Sequence, residues 1–478
     1  MSACKPLVLD VDGTFLSTDL LFETFWGGLH RAPLATLGAV ARNIHDRAAL
    51  KRALAEIAPP RFDLLPLNPE LAARVEAARA EGREVVLASA SDGQLVERLA
   101  AAHGLSAQSF ASDGQTNLKG AAKGAALVAA YGERGFDYAG DNVADRAVWE
   151  RADRALIVGA HPQIASGLRA AGHPVEQIST GWHWRDLARA LRPHQWVKNV
   201  LLFVPMLAAH DFGVATVLLV LAGMVAFSAA ASCIYIVNDL LDLEADRLHP
   251  TKCRRPFAAG TVPIKVGMAA SLGLALVALG IAAALGAAML GVVALYMTLS
   301  LAYSLRLKRM RWVDIATLAA LYTLRVVAGA VASKVDVSVF MLVFVYPVFL
   351  TLGAVKRLTE LALATTDERL PGRGYGRPDR EDLLNVAGLG IVGALLTFFG
   401  YSFTEQAHIL YPTRWLLWVA LVPLAIWLIR MVVLGWQGKQ DYDPIVFALR
   451  DKLGIGLICF ALSLMFYGAG LWQRWFGF

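Results

Sequence analysis

Between Val266 and Leu305 the chain runs for forty residues without a charged side chain. About 20 apolar residues suffice to cross a hydrocarbon core, so this stretch alone predicts two crossings and commits the chain to a bilayer. Hydropathy extends the pattern to about nine spans. They lie near Val197–Ala209, Val214–Val237, Val266–Leu285, Ala287–Leu305, Val313–Ser333, Val337–Val355, Leu383–Phe403, Trp415–Arg430 and Leu453–Trp472. Residues 1–190 are different in kind: rich in Ala, Asp and Arg, they read as a soluble α/β domain. The mean hydropathy of +0.50 averages the two regimes. Lys5 and Asp10 interrupt the first ten residues, which argues against a cleavable signal. Cys4, Cys233, Cys253 and Cys459 have no ligand spacing, which fits a reducing compartment.

The loops alternate in charge. Arg247, Lys252, Arg254, Arg255 and Lys265 follow the second span, and Arg306, Lys308, Arg309 and Arg311 the fourth. Lys356, Arg357, Arg369, Arg373, Arg377 and Arg380 follow the sixth, and Lys439, Arg450 and Lys452 the eighth. The opposite loops offer Lys334 and Arg414. The positive-inside rule puts the basic loops and the N-terminal domain in the cytoplasm of an inner membrane, and the C-terminus outside. The net charge of +6 is distributed over these loops, so nucleic acid is not an expected partner.

Asn238–Gly260 reads NDLLDLEADRLHPTKCRRPFAAG. On one continuous helix, Asn238, Asp239, Asp242 and Asp246 fall within an arc of about 100°, with Glu244 opposite and solvated. Lys252, Arg254 and Arg255 follow. Carboxylates able to hold Mg²⁺ and cations able to hold phosphate predict a diphosphate site at a membrane surface.

In the N-terminal domain, a strand over Lys5–Asp10 runs into Asp10-Val11-Asp12-Gly13-Thr14. A second, Glu84–Ala88, ends in Ser89-Ala90-Ser91, and a third ends at Gly140-Asp141-Asn142-Val143-Ala144-Asp145. Polar residues at successive strand ends mark the crevice of a doubly wound sheet. Two carboxylates two positions apart at a strand end can serve as nucleophile and acid/base on a phosphoryl group, with Mg²⁺ as counter-charge. The order DxDGT, Ser, Lys, GDxxxD resembles the haloacid dehalogenase superfamily of phosphohydrolases, over about Lys5–Val158 with a helical cap at Asp19–Arg79. The resemblance implies Asp10 as nucleophile, Asp12 as acid/base, and Ser89 on a phosphoryl oxygen. Lys123, rather than Lys119, would hold the aspartyl-phosphate charge. Asp10, Asp12 and Asp141 would form the Mg²⁺ site, with Asp145 in support.

Residues 161–192 read as a linker, with an amphipathic or plain helix around Trp182–Arg192. Lys198 stands where the first span begins. Asp314 and Arg325 are eleven residues apart on one helical face, Arg325 about 16 Å deeper, which makes it a candidate for the bundle interior. Lys356-Arg357 and Arg373-Gly374-Tyr375 could grip phosphates or merely orient the protein.

N-D-x-x-D-x-x-x-D after a second span, within about nine helices, resembles the UbiA superfamily of intramembrane transferases. A second carboxylate motif would need an acid four residues after Asp314, where Leu318 stands. RPHQWVKN, YTLRVVAGA, KRLTEL and RGY resemble more closely the decaprenyl-phosphate phosphoribosyltransferase branch, over nearly all of Arg192–Phe478. The expected chain is thus a doubly wound α/β domain at 1–160, the linker at 161–192, and an all-α UbiA-like domain at 193–478.

The resemblance implies transfer of 5-phosphoribose from phosphoribosyl diphosphate to a polyprenyl phosphate, toward arabinose donors. Asp239 and Asp242, with Asn238 and Asp246, would hold Mg²⁺ on the leaving diphosphate. Lys198, Lys252, Arg254 and Arg255 would offset its charge. Lys356, Arg357, Arg373 and Tyr375 would hold the donor's 5-phosphate or the lipid phosphate, and Asp314 and Arg325 would complete the substrate-binding set. The fused phosphatase-like domain would then remove the 5-phosphate. Two rivals stay open: a prenyltransferase joining a prenyl diphosphate to an aromatic or other acceptor, and a scaffold or transporter with a regulatory phosphatase domain. The sequence leaves room for a homo-oligomer.

Overall fold

The computed structural model describes residues 5–112, 118–180, 182–336, 338–364, 367–370, 373–440 and 443–477. Cys4, the span limit at Val337 and the last residue, Phe478, lie outside them. Cys233, Cys253 and Cys459 are free thiols. The chain divides into two units. One comprises Met1–Leu191 with Tyr235–Leu272; the other comprises Arg192–Ile234 with Gly273–Phe478.

The first unit is built on six short strands: β1 (Leu7–Leu9), β2 (Val85–Asp92), β3 (Ser109–Ser112), β4 (Asp137–Gly140), β5 (Ala155–Val158) and β6 (Val175–Ile178). They pair in the order β3-β2-β1-β4-β5-β6, every pair parallel. β1, β4 and β5 are buried throughout. That is the pattern of strands covered on both faces by crossover helices. One face packs Leu9, Leu71, Val75, Leu95 and Leu99; the other packs Val8, Val86, Leu127, Tyr138 and Trp149. The winding reverses at β1, which opens a crevice beyond its C-terminal end.

Two expected boundaries shift. The helical insert after β1 consists of Leu20–Arg31, Pro33–Asn43 and Arg47–Ile57. The helix Pro69–Ala80, expected in the cap, places Leu71, Val75 and Ala78 in the sheet core and is the crossover into β2. Within the expected 161–192 linker, Pro162–Ala170 is helical and β6 pairs with β5, so the sheet runs past residue 160. The helix Trp184–Ala190 spans seven residues, with Trp184 70% exposed.

Seven helices among the described residues are long and apolar enough to cross a membrane: Val214–Leu241, Ile264–Leu285, Ala287–Leu305, Arg311–Ser333, Val339–Ala362, Arg377–Tyr401 and Trp415–Trp436. Two of the nine expected spans differ. Pro193–Phe203 winds as 3-10 turns, followed by the α-helix Val204–Ala208, with a proline early in each. Proline removes the N–H that a continuous helix would need, although it is tolerated in a first turn. The last, Lys452–Gly468, has 17 residues. The 3-10 segment lies hard against Arg311–Ser333, where a Cβ on Gly329 would stand 2.0 Å from the Leu202 carbonyl oxygen. Only glycine permits that approach.

Candidate active sites

In the first unit, Asp10 follows β1, Lys123 lies on the helix Ala121–Tyr131, and Asp141 and Asp145 follow β4. Lys123, 3% exposed, donates to Asp10 Oδ1 at 2.8 Å, Asp145 Oδ1 at 3.3 Å and the Tyr138 hydroxyl at 2.9 Å. Lys119 stands on the wall of the same cleft. Asp12 accepts from the Leu20 N–H at 2.8 Å and from the Ser91 hydroxyl at 2.5 Å, so it is held at the base of the insert. Buried Ser89 accepts the Ser91 N–H at 3.0 Å. Asp10, Asp141 and Asp145 each bring an oxygen within 4.8 Å of the others. Burial pushes the Asp10 carboxyl up to about 7 against the pull of Lys123, and Asp141 up to about 6, with Asp145 adding to both. Crowded carboxylates reluctant to ionise are what a divalent cation relieves, so the donor set fits Mg²⁺. Asp145 also accepts from Tyr138 and from the Asn142 N–H, which makes it the most committed of the three. Tyr138 was not singled out from sequence; a tyrosine inside a strand carries no local signal of its partners.

The Asp-rich stretch belongs to the same unit. The helix Val214–Leu241 stops, and Leu243–Leu248 begins after Asp242, whose φ of −101° and ψ of 17° leave the helical region. Asn238 and the three acids therefore do not line one continuous helix, although the Asp242 N–H still bonds the Asn238 carbonyl at 3.0 Å and the Asp246 N–H the Asp242 carbonyl at 2.8 Å. Arg255 Nη1 bridges Asp239 Oδ1 at 3.1 Å and Asp246 Oδ2 at 2.7 Å, a cation already between two carboxylates. The Asn238 Oδ1 is buried without a hydrogen-bond partner. An orphaned oxygen beside paired carboxylates fits a Mg²⁺ set. Lys252 is half-buried and Arg254 exposed.

Glu244, expected to be merely solvated, pairs with Arg31, and Asp242 lies 3.7 Å from the His30 ring. Arg247 binds Glu23 through both terminal nitrogens, at 3.0 and 2.6 Å, and donates from Nε to the Ala258 carbonyl. The insert helix Leu20–Arg31 thus grips the Asp-rich stretch at three points.

In the second unit, Arg357 and Asp314 are both fully buried and joined by a fork of two hydrogen bonds. Glu360 takes another Arg357 donor, and the Tyr303 hydroxyl receives from Arg357 at 2.9 Å and from Arg373 at 3.1 Å. Tyr375 is buried beside Trp312, its hydroxyl without a partner. Arg325 donates to Asn199 at 3.1 Å, the Leu321 carbonyl at 2.8 Å and the Tyr296 hydroxyl at 3.0 Å, tying three elements together deep in the bundle.

Lys198 pairs with Asp443, which also lies 3.9 Å from Lys356 and accepts from the Tyr322 hydroxyl at 3.4 Å. Burial opposes ionisation of Asp443, but the two lysines outweigh it and hold the carboxyl down at about 2. Asp443 was missed from sequence. Its signal was the acid before Pro444, where it caps the helix Pro444–Ala448.

A family model described as the UbiA prenyltransferase family matches residues 200–450. The chain belongs to that family. It is accordingly a multi-pass integral membrane transferase. The uncharacterized protein y4nM of Sinorhizobium fredii is 35% identical over 94% of this chain and 88% of its own length. Decaprenyl-phosphate phosphoribosyltransferase of Mycobacterium tuberculosis is 33% identical over 56% of this chain and 88% of its own length. A solved UbiA homolog from Archaeoglobus fulgidus bound to GPP and Mg²⁺ matches at 15% identity and a TM-score of 0.46, over 59% of this chain and 99% of that one.

Proposed function

We propose that this protein transfers 5-phosphoribose from phosphoribosyl diphosphate to a polyprenyl phosphate and then removes the 5-phosphate. The observation that carries the transferase reading is the Asn238–Asp246 carboxylate set with its bridging Arg255, in a chain similar to a decaprenyl-phosphate phosphoribosyltransferase. Asp239, Asp242 and Asp246, with Asn238, would hold Mg²⁺, which neutralises the leaving diphosphate. Lys252, Arg254 and Arg255 add positive charge to the donor's diphosphate. Lys198, Lys356 and Arg373 serve phosphate oxygens; Asp314 and Tyr303, both held by Arg357, set the position of Arg373, and Arg325 holds the bundle. The lipid phosphate oxygen attacks the anomeric carbon as the diphosphate departs.

The N-terminal domain, read as a haloacid dehalogenase-like phosphohydrolase, acts through residues on one cleft. Asp10 Oδ attacks phosphorus, Asp12 protonates the departing sugar oxygen, and Lys123 and Ser89 steady the phosphoryl oxygens. Mg²⁺ at Asp10 and Asp141 would supply counter-charge. Water then releases inorganic phosphate from Asp10, giving up its proton to Asp12. The basic loops support a cytoplasmic placement for both activities, with the C-terminus outside.

The test is purified full-length protein with Mg²⁺, labelled phosphoribosyl diphosphate and polyprenyl phosphate. Wild type should form polyprenyl-phosphoryl-ribose, Asp10→Asn should accumulate its 5-phosphate, and Asp242→Ala should abolish transfer. Turnover of a prenyl diphosphate in place of the sugar donor would overturn the transferase reading. Failure of Asp10→Asn to accumulate the phosphorylated lipid would overturn the coupling.

A further inference from the structure

The cleft around Asp10 is not walled by the N-terminal segment alone. Its volume is about 640 Å³, and Gly260, Pro263, Ile264, Lys265 and Val266 contribute to its lining. Ile264 is the first residue of the helix Ile264–Leu285, one of the seven long and apolar enough to cross a membrane. A wall of the cleft is therefore the opening turn of a membrane helix, and the bilayer surface must lie close to that turn. A hydrolase serving free cytosolic esters has no need of such a wall.

Lys265 is exposed at this turn and lines the same cleft as Asp141. Arg47, Lys51 and Lys119 also line the cleft, so its rim is basic although its floor is acidic. Ile44, 61% exposed, lies on the same lining and offers an apolar surface. A basic rim with an exposed apolar side chain at a membrane surface suits an anionic head group on a lipid chain.

We infer that this cleft takes a membrane-anchored phosphomonoester, with Lys265 meeting the charge of the head group while the anchor lies along the start of Ile264–Leu285. The inference rests on reading the N-terminal domain as a phosphohydrolase. Beyond the lipid-linked ester already proposed as substrate, it adds that the opening turn of a membrane helix walls the cleft and that Lys265 selects the anchored ester. The reaction is hydrolysis: the P–O bond to the head-group oxygen breaks, that oxygen takes a proton, and water's oxygen ends on phosphate.

The experiment uses the full-length protein with Mg²⁺ in nanodiscs of phosphatidylcholine and phosphatidylglycerol. Phosphate release is compared between ribose 5-phosphate and dodecyl ribofuranoside 5-phosphate, neither of which requires the transferase. Wild type is expected to favour the anchored ester by about tenfold or more in kcat/KM. Lys265→Arg should keep that preference and Lys265→Glu should bring it near parity. Equal kcat/KM for the two esters in wild type, or a preference that survives Lys265→Glu, overturns the inference while leaving the hydrolase reading standing. Absence of phosphate release from both esters, with wild type no faster than Asp10→Asn, overturns the hydrolase reading itself.

Discussion

At Asp443 one buried carboxylate serves two lysines, Lys198 and Lys356. Removing the acid strips buried Lys198 of its paired carboxylate and takes an anion from beside Lys356. Asp443→Ala is therefore expected to cost ~3 kcal/mol, seen as a lowered thermal midpoint of the purified protein. The pair Arg61–Asp63 gives the contrast: it is exposed on both sides, and Asp63→Ala should leave the midpoint where it was. An unchanged midpoint for Asp443→Ala would sink this account of the cluster. Neither partner of Asp443 could be read from sequence, because Lys198 is 245 positions away. That Asp10, Asp12, Ser89, Lys123 and Asp141 share one cleft is legible, because each sits at or beside a strand end or on a motif helix in fixed order. The sequence marks Asp314 and Arg357 only singly, as substrate binders; their mutual pairing, 43 positions apart, is a fact of helix packing.

Among the elements, the strands were legible because a short apolar run ending in polar residues has few other readings. The helix Pro69–Ala80 was misplaced because its alanine-rich sequence resembles that of the insert helices; only the contacts of Leu71 and Val75 distinguish it. The carboxylate face on residues 238–246 assumes an unbroken helix; Asp242 interrupts it, yet Asp239 and Asp246 still meet at Arg255. Packing between elements supplies a further test. Gly329→Ala must displace the Leu202 backbone, and overpacking of that kind costs ~1–3 kcal/mol. Gly280→Ala, on Ile264–Leu285 with nothing within 4 Å, should instead be neutral or stabilising by up to about 1 kcal/mol. One substitution type with opposite signs at two helix glycines would be read from paired thermal midpoints. A midpoint for Gly329→Ala no lower than that of Gly280→Ala would mean that the 3-10 segment yields freely.

For the molecule as a whole, proton binding to the first unit sets a pH dependence. Burial raises Asp10 and Asp19 to about 7 and Asp141 to about 6, whereas the unfolded chain ionises near 3.8. Between about 4 and 7 the folded unit holds more protons than the unfolded chain, so stability falls as pH rises through that window. In EDTA the full-length protein should melt at a lower temperature at pH 8 than at pH 5. Added Mg²⁺ should raise the pH 8 midpoint more than the pH 5 one, because metal and proton compete for the same oxygens. A midpoint in EDTA that climbs from pH 5 to pH 8 would contradict the sign.

The grip of Glu23 on Arg247 spans 224 positions of chain. At about 5–20 residues per second, a ribosome needs roughly ten to forty-five seconds to travel from one to the other. During that interval the sheet can close and the helix Val214–Leu241 must enter the bilayer, while Glu23 has the Thr18 hydroxyl at 2.7 Å but no cation. The first unit is thus completed only after part of the second has been made. Its final pieces arrive by way of the membrane, so the order of synthesis, and not only the contacts of the finished protein, belongs to how this chain reaches its native state.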